Sequence, residues 1–474
     1  MRVPISWLRE YIDLPSHSQS IADRLASLGF PVEEIVRRPV IAGVVAGKIV
    51  ALEKHPNADR LQVGTIDVGA PEALTIATAA TNVAVGQVIP VARIGAQLPN
   101  LKIEPRKMRG IESQGMMCSA DELGLDPEWF EDGIMQLDSG TPLGADVVAL
   151  FGLADDVLDV EITSNRVDAM SVIGLARELA ASYDRPLRLP SFDNPGTEAE
   201  PDGQAPIVEL ETPGCTRFVA QFFSNVRVEP APAWMRVRLA LAGQRPINNL
   251  VDVSNYVMLE IAQPLHFYDA DAVTAHRFTV RDAREGEKLT TLDGTERELP
   301  PQSIVVADAS GPLGLAGLMG GVRSEVRAGT TSIILEAANF EGARIRRASA
   351  RLALRTEAST RHEKQLAPAL AGMGAARAAV LLTQLGARAS RPREFGTAPP
   401  AALPIALTPN YVTRLLGLDL EAARISSHLL ALGCEVREEG TTMLVTSPPW
   451  RRDLEIAADL VEEVARIEGY DRIE

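Results

Sequence analysis

The chain has 474 residues, 46% hydrophobic and 23% charged, enough for roughly three domains of ordinary globular composition. Its formal net charge of −16 argues against a dedicated nucleic-acid binder, no apolar run approaches a membrane span, and Arg2 and Pro4 lead into a helix-like start rather than a signal peptide. Three scattered cysteines, Cys118, Cys215 and Cys434, exclude a CxxC metal knuckle and point to reduced thiols in a cytosol.

The first predicted element is a helix at Trp7-Leu-Arg-Glu-Tyr. A second follows in which Ile21, Leu25, Leu28, Gly29, Val32 and Glu34 recur 404 residues later as Ile425, Leu429, Leu432, Gly433, Val436 and Glu438. Both copies predict an amphipathic helix, a Gly C-cap and a strand. An ancient duplication, or two similar modules in one assembly, explains this as well as chance use of a common unit. Residues 43–110 read as all-β, with apolar runs at 44–52, 63–68, 74–77 and 88–94 and turns at Gly69, Gly86 and Gly95. Even strand spacing suggests a small barrel such as the OB-fold. Lys102, Arg106, Lys107 and Arg109 cluster with only Glu104 between them, while residues 121–138 are acidic. Such a patch engages phosphate even on an acidic protein, or is solvated surface. His55-Pro-Asn-Ala-Asp-Arg-Leu precedes a strand. Met108-Arg-Gly-Ile-Glu-Ser-Gln-Gly-Met-Met-Cys-Ser follows the last one, where Gly110 and Gly115 permit a tight loop and Ser113 and Ser119 offer hydroxyls.

Next, Ile162-Thr-Ser-Asn-Arg-Val-Asp-Ala-Met-Ser opens a helix with Asp168 near its start, where Asn165 and Arg166 bond backbone or a partner; it reads as scaffold. Connectors are predicted at 190–206 and at 391–404, the latter containing Pro399-Pro400. Residues 207–340 alternate strands with Asp293-Gly294 and Ser310-Gly311 turns, plus a helix near 232–242. Four strings stand out. They are Asn248-Asn249-Leu-Val-Asp-Val-Ser-Asn255-Tyr running into Gln263-Pro-Leu-His266-Phe-Tyr-Asp269, the glycine run 313–321, Leu335-Glu336-Ala-Ala-Asn-Phe, and Leu354-Arg-Thr356-Glu-Ala358-Ser-Thr-Arg-His362-Glu-Lys364. The glycines let backbone approach a ligand closely. A lone His266 is more often packed than functional, and Glu336, ending the apolar run 333–335, is costly to bury without a partner. Residues 363–386 predict an Ala/Leu-rich helix. With no GxGxxG and no GxxxxGK[ST], the class is multidomain α+β, not a doubly wound sheet.

The last block runs Pro448-Pro-Trp-Arg-Arg-Asp-Leu-Glu-Ile-Ala-Ala-Asp-Leu-Val-Glu-Glu-Val. Leu454, Ile456, Leu460, Val461, Val464 and Ile467 predict a helix face. Asp453 suits its start, and Asp459, Glu462 and Glu463 share an adjoining strip. Oxygen ligands without His or Cys suit Mg²⁺. A solvated acidic face, or neutralisation by Arg451 and Arg452, suits the spacing as well.

Taken together, these strings resemble the bacterial phenylalanine–tRNA ligase β-subunit family in its module order. The resemblance implies an N-terminal helix/strand piece (1–38), a tRNA-binding OB-fold domain (39–150), a helical connector (151–200), an α+β editing module (201–395) and a small helix-rich, winged-helix-like magnesium-site module (401–474). The family continues with catalytic-like and anticodon-binding domains, so the resemblance implies a chain truncated before them. It places His266, Glu336, Thr356 and Ala358 in a pocket that hydrolyses tyrosine misattached to tRNA(Phe), lined by Gly317 and its neighbours. Glu336 would bond the phenol, a polar recognition that rejects phenylalanine better than shape alone, and His266 would position water or the terminal ribose. It further implies Lys102, Arg106, Lys107 and Arg109 against tRNA phosphates, and Mg²⁺ on Asp453, Asp459, Glu462 and Glu463. The implied partner is an α subunit in a cytoplasmic α2β2 assembly, which supplies the ATP and phenylalanine sites; this chain alone would not charge tRNA. The alternative is a non-catalytic tRNA-binding protein reusing the OB module. Two departures stand out. The family often has Gly-Gln-Pro-Met-His-Ala-Phe-Asp where this chain has Ala262-Gln-Pro-Leu-His-Phe-Tyr-Asp, and Arg361-His362-Glu-Lys replaces a usual Arg-Phe-Glu-Lys.

Overall fold

The apolar runs between residues 43 and 110, joined by a fifth strand, form one sheet in the computed structural model, which describes residues 1–200, 203–398 and 401–473. Strands β1 (Ala42–Lys54), β2 (Gln62–Asp67), β3 (Leu74–Thr78), β4 (Val88–Leu98) and β5 (Gly115–Met117) lie in the order β5-β4-β1-β2-β3. The two ends meet. Gln114 N–H donates to the Thr75 carbonyl at 2.8 Å, and Thr75 N–H to the Gln114 side-chain oxygen at 2.8 Å. That contact closes the barrel, with Ile49, Ile66, Ile76, Ile89, Val91 and Met117 buried inside. Gly47 is needed on β1, since a Cβ there would sit 2.8 Å from Ile66 and 2.9 Å from Val91. Gly69 and Gly86 do turn the chain, but Gly95 lies within β4 at φ +87°, where its N–H bonds the Ile103 carbonyl at 2.7 Å instead of ending the strand.

This barrel belongs to one of two compact units, comprising Met1–Arg9, Glu33–Val160 and Pro230–Ile247. The helix expected near 232–242 is Ala233–Leu241, and Val237 and Leu241 pack with Val147 and Phe151 of the same unit.

The other unit comprises Glu10–Val32, Glu161–Glu229 and Asn248–Glu474. Its helices include α1 (Ser18–Ser27), α2 (Val172–Tyr183), α3 (Asn249–Ile261), α4 (Gly342–Leu352), α5 (Glu357–His362), α6 (Ala369–Gln384), α7 (Ala422–Ala431) and α8 (Ala457–Glu468). The sequence repeat is a structural one. α1 ends with Gly29 at φ +86° and α7 with Gly433 at φ +89°. Phe30 N–H reaches back to the Leu25 carbonyl at 2.9 Å, and Cys434 N–H to the Leu429 carbonyl at 3.0 Å.

Strands β6 (Cys215–Ser224), β7 (Leu265–Asp269) and β8 (Ile333–Phe340) form an antiparallel sheet with β8 in the middle. A second sheet runs Ile207–Leu210, Arg277–Asp282, Ile304–Asp308, Gly311–Leu315, Met319–Gly320, and Phe218, Phe222, Phe278, Val280 and Ile334 form a common core. Glu336 was expected to end a strand. Instead β8 continues to Phe340, because it is paired on both sides. α6 begins six residues later than the composition predicts, at the fixed φ of its N-cap Pro368.

The C-terminal module sets a three-stranded sheet, Ile405–Leu407, Thr442–Thr446 and Glu435–Glu439, against Pro409–Leu416, α7 and α8. α8 also starts late. The Asp459 carboxylate accepts the N–H groups of Glu455 and Ile456, both at 2.8 Å, so Ile456 becomes an exposed cap rather than part of the apolar face. The architecture is multidomain α+β. Cys118, Cys215 and Cys434 are free and buried. Pro399-Pro400 lies outside the described residues.

Candidate functional site

Antiparallel pairing of β7 with β8 sets His266 opposite Glu336. The period of two then returns Tyr268 to the same face. Its hydroxyl donates to Glu336 Oε2, and its ring meets His266 edge-on, with centroids 4.5 Å apart. Burial pushes the Glu336 carboxyl up to about 7 against the opposing Tyr268 hydrogen bond, pushes the His266 imidazole down to about 4, and with Glu336 raises the Tyr268 phenol. His266 is therefore neutral at pH 7, and its buried Nε2 has no hydrogen-bond partner.

These side chains line a cavity of about 220 Å³ together with Asn255, Gly317, Ala358 and His362. The glycine run forms its floor by turning at Gly317, φ +68°. At Gly320 a Cβ would lie 2.4 Å from His266 Cε1, so only glycine leaves that ring its place. Thr356 lies outside the lining. Its Oγ1 caps α5 by accepting Ser359 N–H at 3.1 Å and donates to the Leu318 carbonyl at 3.1 Å, which fastens α5 to the glycine run and holds Ala358 against the cavity.

The barrel brings its two motifs together. Arg106–Met108 and Ile111–Ser113 form a hairpin through Arg109 (φ +46°) and Gly110 (φ +106°), a two-residue turn with both φ positive. His55 Nδ1 accepts Asn57 N–H at 3.1 Å, so Nε2 carries the proton and donates to the Met108 carbonyl at 3.0 Å. The hairpin is thus braced from behind while Lys102, Arg106, Lys107 and Arg109 are exposed.

The four C-terminal carboxylates do not converge. Arg451 bonds Asp453 twice, at 2.8 Å each, and Glu463 at 2.7 Å; Arg466 bonds Glu463 at 2.6 and 3.0 Å and Glu178 at 2.9 Å. Arg166 joins this buried network through Asp168 at 3.0 Å and through Glu178, which gives the 162–171 motif its scaffold role. Burial resists ionisation of Glu463, but Arg451 and Arg466 outweigh it and hold the carboxyl far below the usual range. Asp459 caps α8, and Glu462 faces solvent. Among the described residues no three His, Cys, Asp or Glu form a metal-holding group. The donor set as folded does not fit a directly ligated ion.

Three family models match the chain, a putative tRNA binding domain at residues 44–146, a B3/4 domain at 214–387 and a tRNA synthetase B5 domain at 405–470. The whole chain aligns with the phenylalanine–tRNA ligase β subunits of Clostridium acetobutylicum, at 40% identity, and Moorella thermoacetica, at 44%. Over its whole length the chain is similar to phenylalanine–tRNA ligase β subunits. It spans about 60% of the length of those relatives.

Within this sequence, reasoning from motifs missed two residues of the cavity. Tyr268 engages the carboxylate that was expected to await a ligand phenol. His362 lines the cavity with its Nδ1 unpartnered, its ring pushed down to about 3 by burial and by neighbouring Arg361. The signal for both was present, since they occupy the two places where the chain departs from the usual family strings.

Proposed function

We propose that the chain serves as the β chain of a phenylalanine–tRNA ligase, binds tRNA through its barrel, and hydrolyses tyrosine misattached to tRNA(Phe). The observation that carries this reading is the buried Glu336, which faces a small cavity across from an unpartnered, neutral His266. A phenol entering the cavity finds a carboxylate acceptor, whereas phenylalanine would leave that buried group without a ligand bond. His266 orients the attacking water or the ribose hydroxyl. Water adds to the ester carbonyl, the acyl C–O bond breaks, and the ribose oxygen departs with a proton.

The proposed partner is an α subunit in a cytoplasmic α2β2 assembly, with the ATP and phenylalanine sites on α, so this chain alone does not aminoacylate. Mg²⁺ is proposed for the C-terminal module in that assembly. Its support is the match to a tRNA synthetase B5 domain, since arginines and a helix cap already hold Asp453, Glu463 and Asp459. Exposed Glu462 would take the ion through waters. Mg²⁺ titration with Glu462→Gln and Glu463→Gln controls tests it; unchanged binding leaves a solvated face. The editing reading is tested by tyrosyl-tRNA hydrolysis against His266→Ala. Loss in the variant is expected, and equal rates would leave tRNA binding as the chain's role.

A further inference from the structure

α4 carries four arginines and no acidic residue, on a chain of net charge −16. Ile345, Ala348 and Ser349 turn inward, which at 3.6 residues per turn sends Arg346, Arg347 and Arg351 outward, and all three are exposed. Arg344 alone is committed, to Asp282 at 2.6 Å and Glu341 at 2.9 Å. The other three have no acidic partner among the described residues. Solvated helices usually intersperse signs and pair them across a turn. This face does neither.

The two cavities draw on consecutive residues of the chain. His362 lines the cavity, and the next residues, Glu363 and Lys364, line a second cavity of about 420 Å³ with Arg346, Arg452, Asn165 and Trp450. Gly342 brings α4 against this junction so closely that a Cβ would lie 2.7 Å from the His362 carbonyl oxygen and 2.8 Å from that of Glu363. The acids here are already used, Glu363 by Arg355 at 2.9 Å and Asp453 by Arg451. The cations are not. Lys364 Nζ donates to the Ile162 carbonyl at 2.9 Å and Arg452 to the Leu366 carbonyl at 3.4 Å, and both keep their charge uncompensated by an ion pair. Trp450 adds a buried indole N–H with no partner.

We propose that Arg346, Arg347, Arg351, Lys364 and Arg452 form the track for the sugar-phosphate backbone of a single-stranded RNA 3′ end whose terminal aminoacyl ester occupies the His266–Glu336 cavity. This rests on the editing reading and names the surface that presents its substrate. Arg347 and Arg351, about one turn apart, offer guanidiniums to successive phosphates while Arg346 turns to the second cavity, contacts that fix register without reading sequence.

The test uses the purified chain with Arg346, Arg347 and Arg351 changed together to Gln, and separately Lys364→Gln. Two esters are compared: tyrosyl-tRNA and phosphate-free 2′(3′)-O-tyrosyl-adenosine. The triple variant is expected to raise KM for tyrosyl-tRNA about tenfold with kcat retained, and to flatten the logarithmic salt slope of tRNA binding by about 2. Lys364→Gln gives a smaller change in the same sense. Hydrolysis of tyrosyl-adenosine stays at the parent rate. An unchanged KM and salt slope overturns the proposal, and so does an equal loss on both esters, which would put the effect in the cavity. If the parent chain cleaves neither ester, the editing reading fails by itself, and the salt slope alone decides whether RNA uses this track.

Discussion

Tyr268 moderates the state that burial imposes on Glu336. Its hydroxyl is the hydrogen bond that opposes the effect of burial on the carboxyl, and it occupies Oε2. Tyr268→Phe removes that bond without removing the ring. The expected outcome is a further rise in the Glu336 pKa and tyrosyl-tRNA hydrolysis about tenfold slower near pH 7, a loss of about 1–3 kcal/mol, with the rate profile displaced to higher pH. A variant profile that overlays the parent's would reduce Tyr268 to packing. The sign for stability follows from the same group. A carboxyl raised from 4.5 to about 7 in the folded state favours the fold below pH 4.5 and loses that contribution as pH rises through 7. His266, lowered from 6.5 to about 4, acts oppositely, and its contribution disappears as pH falls from 6.5 towards 4. Glu336→Gln should therefore shift the change in melting temperature between pH 5 and 8 towards greater stability at the higher pH than in the parent, and an identical pH profile would assign that change to other groups. The apolar run 333–335 made Glu336 legible in sequence as a costly carboxylate. The neighbour that answers it was not legible, because only the register of β7 on β8 places Tyr268 there.

Among the elements, α8 depends most on charge. Arg451 has 2% of its side chain exposed and bridges Asp453 and Glu463. Arg451→Ala takes from Asp453 the partner that bonds it twice and leaves Glu463 to Arg466 alone, and breaking a buried pair in this way costs about 3–5 kcal/mol, to be read from urea unfolding. A loss below about 1 kcal/mol would mean that water replaces the guanidinium. The sequence showed the acids and the adjacent arginines but not which would win, since the choice depends on Glu178 and Asp168, remote in sequence. The helix–Gly–strand repeat was fully legible, because a C-cap with positive φ is a local requirement. The starts of α6 and α8 were less so, being set by Pro368 and by the Asp459 cap rather than by hydrophobic period.

At the scale of the molecule, an acidic chain carries local clusters of exposed cations at its hairpin and on α4. Neutralising Lys102, Arg106, Lys107 and Arg109 together should weaken tRNA binding and flatten its salt slope, since each phosphate contact releases counterions. An unchanged slope would make the hairpin solvated surface. The module order was legible because each module carries its own strings, whereas the lining of the cavity needed the fold.

Selection of a phenol by Glu336 and hydrolysis of its ester are the proposed work of the cavity. The direct measurement is the rate at which the chain clears tyrosyl-tRNA(Phe) and phenylalanyl-tRNA(Phe), each with the parent and with Glu336→Ala. The account predicts that the parent clears tyrosyl-tRNA at least a hundredfold faster, a polar discrimination of about 3 kcal/mol, and that the variant loses this preference. Equal clearance of the two by the parent, or a preference that survives in Glu336→Ala, would contradict it.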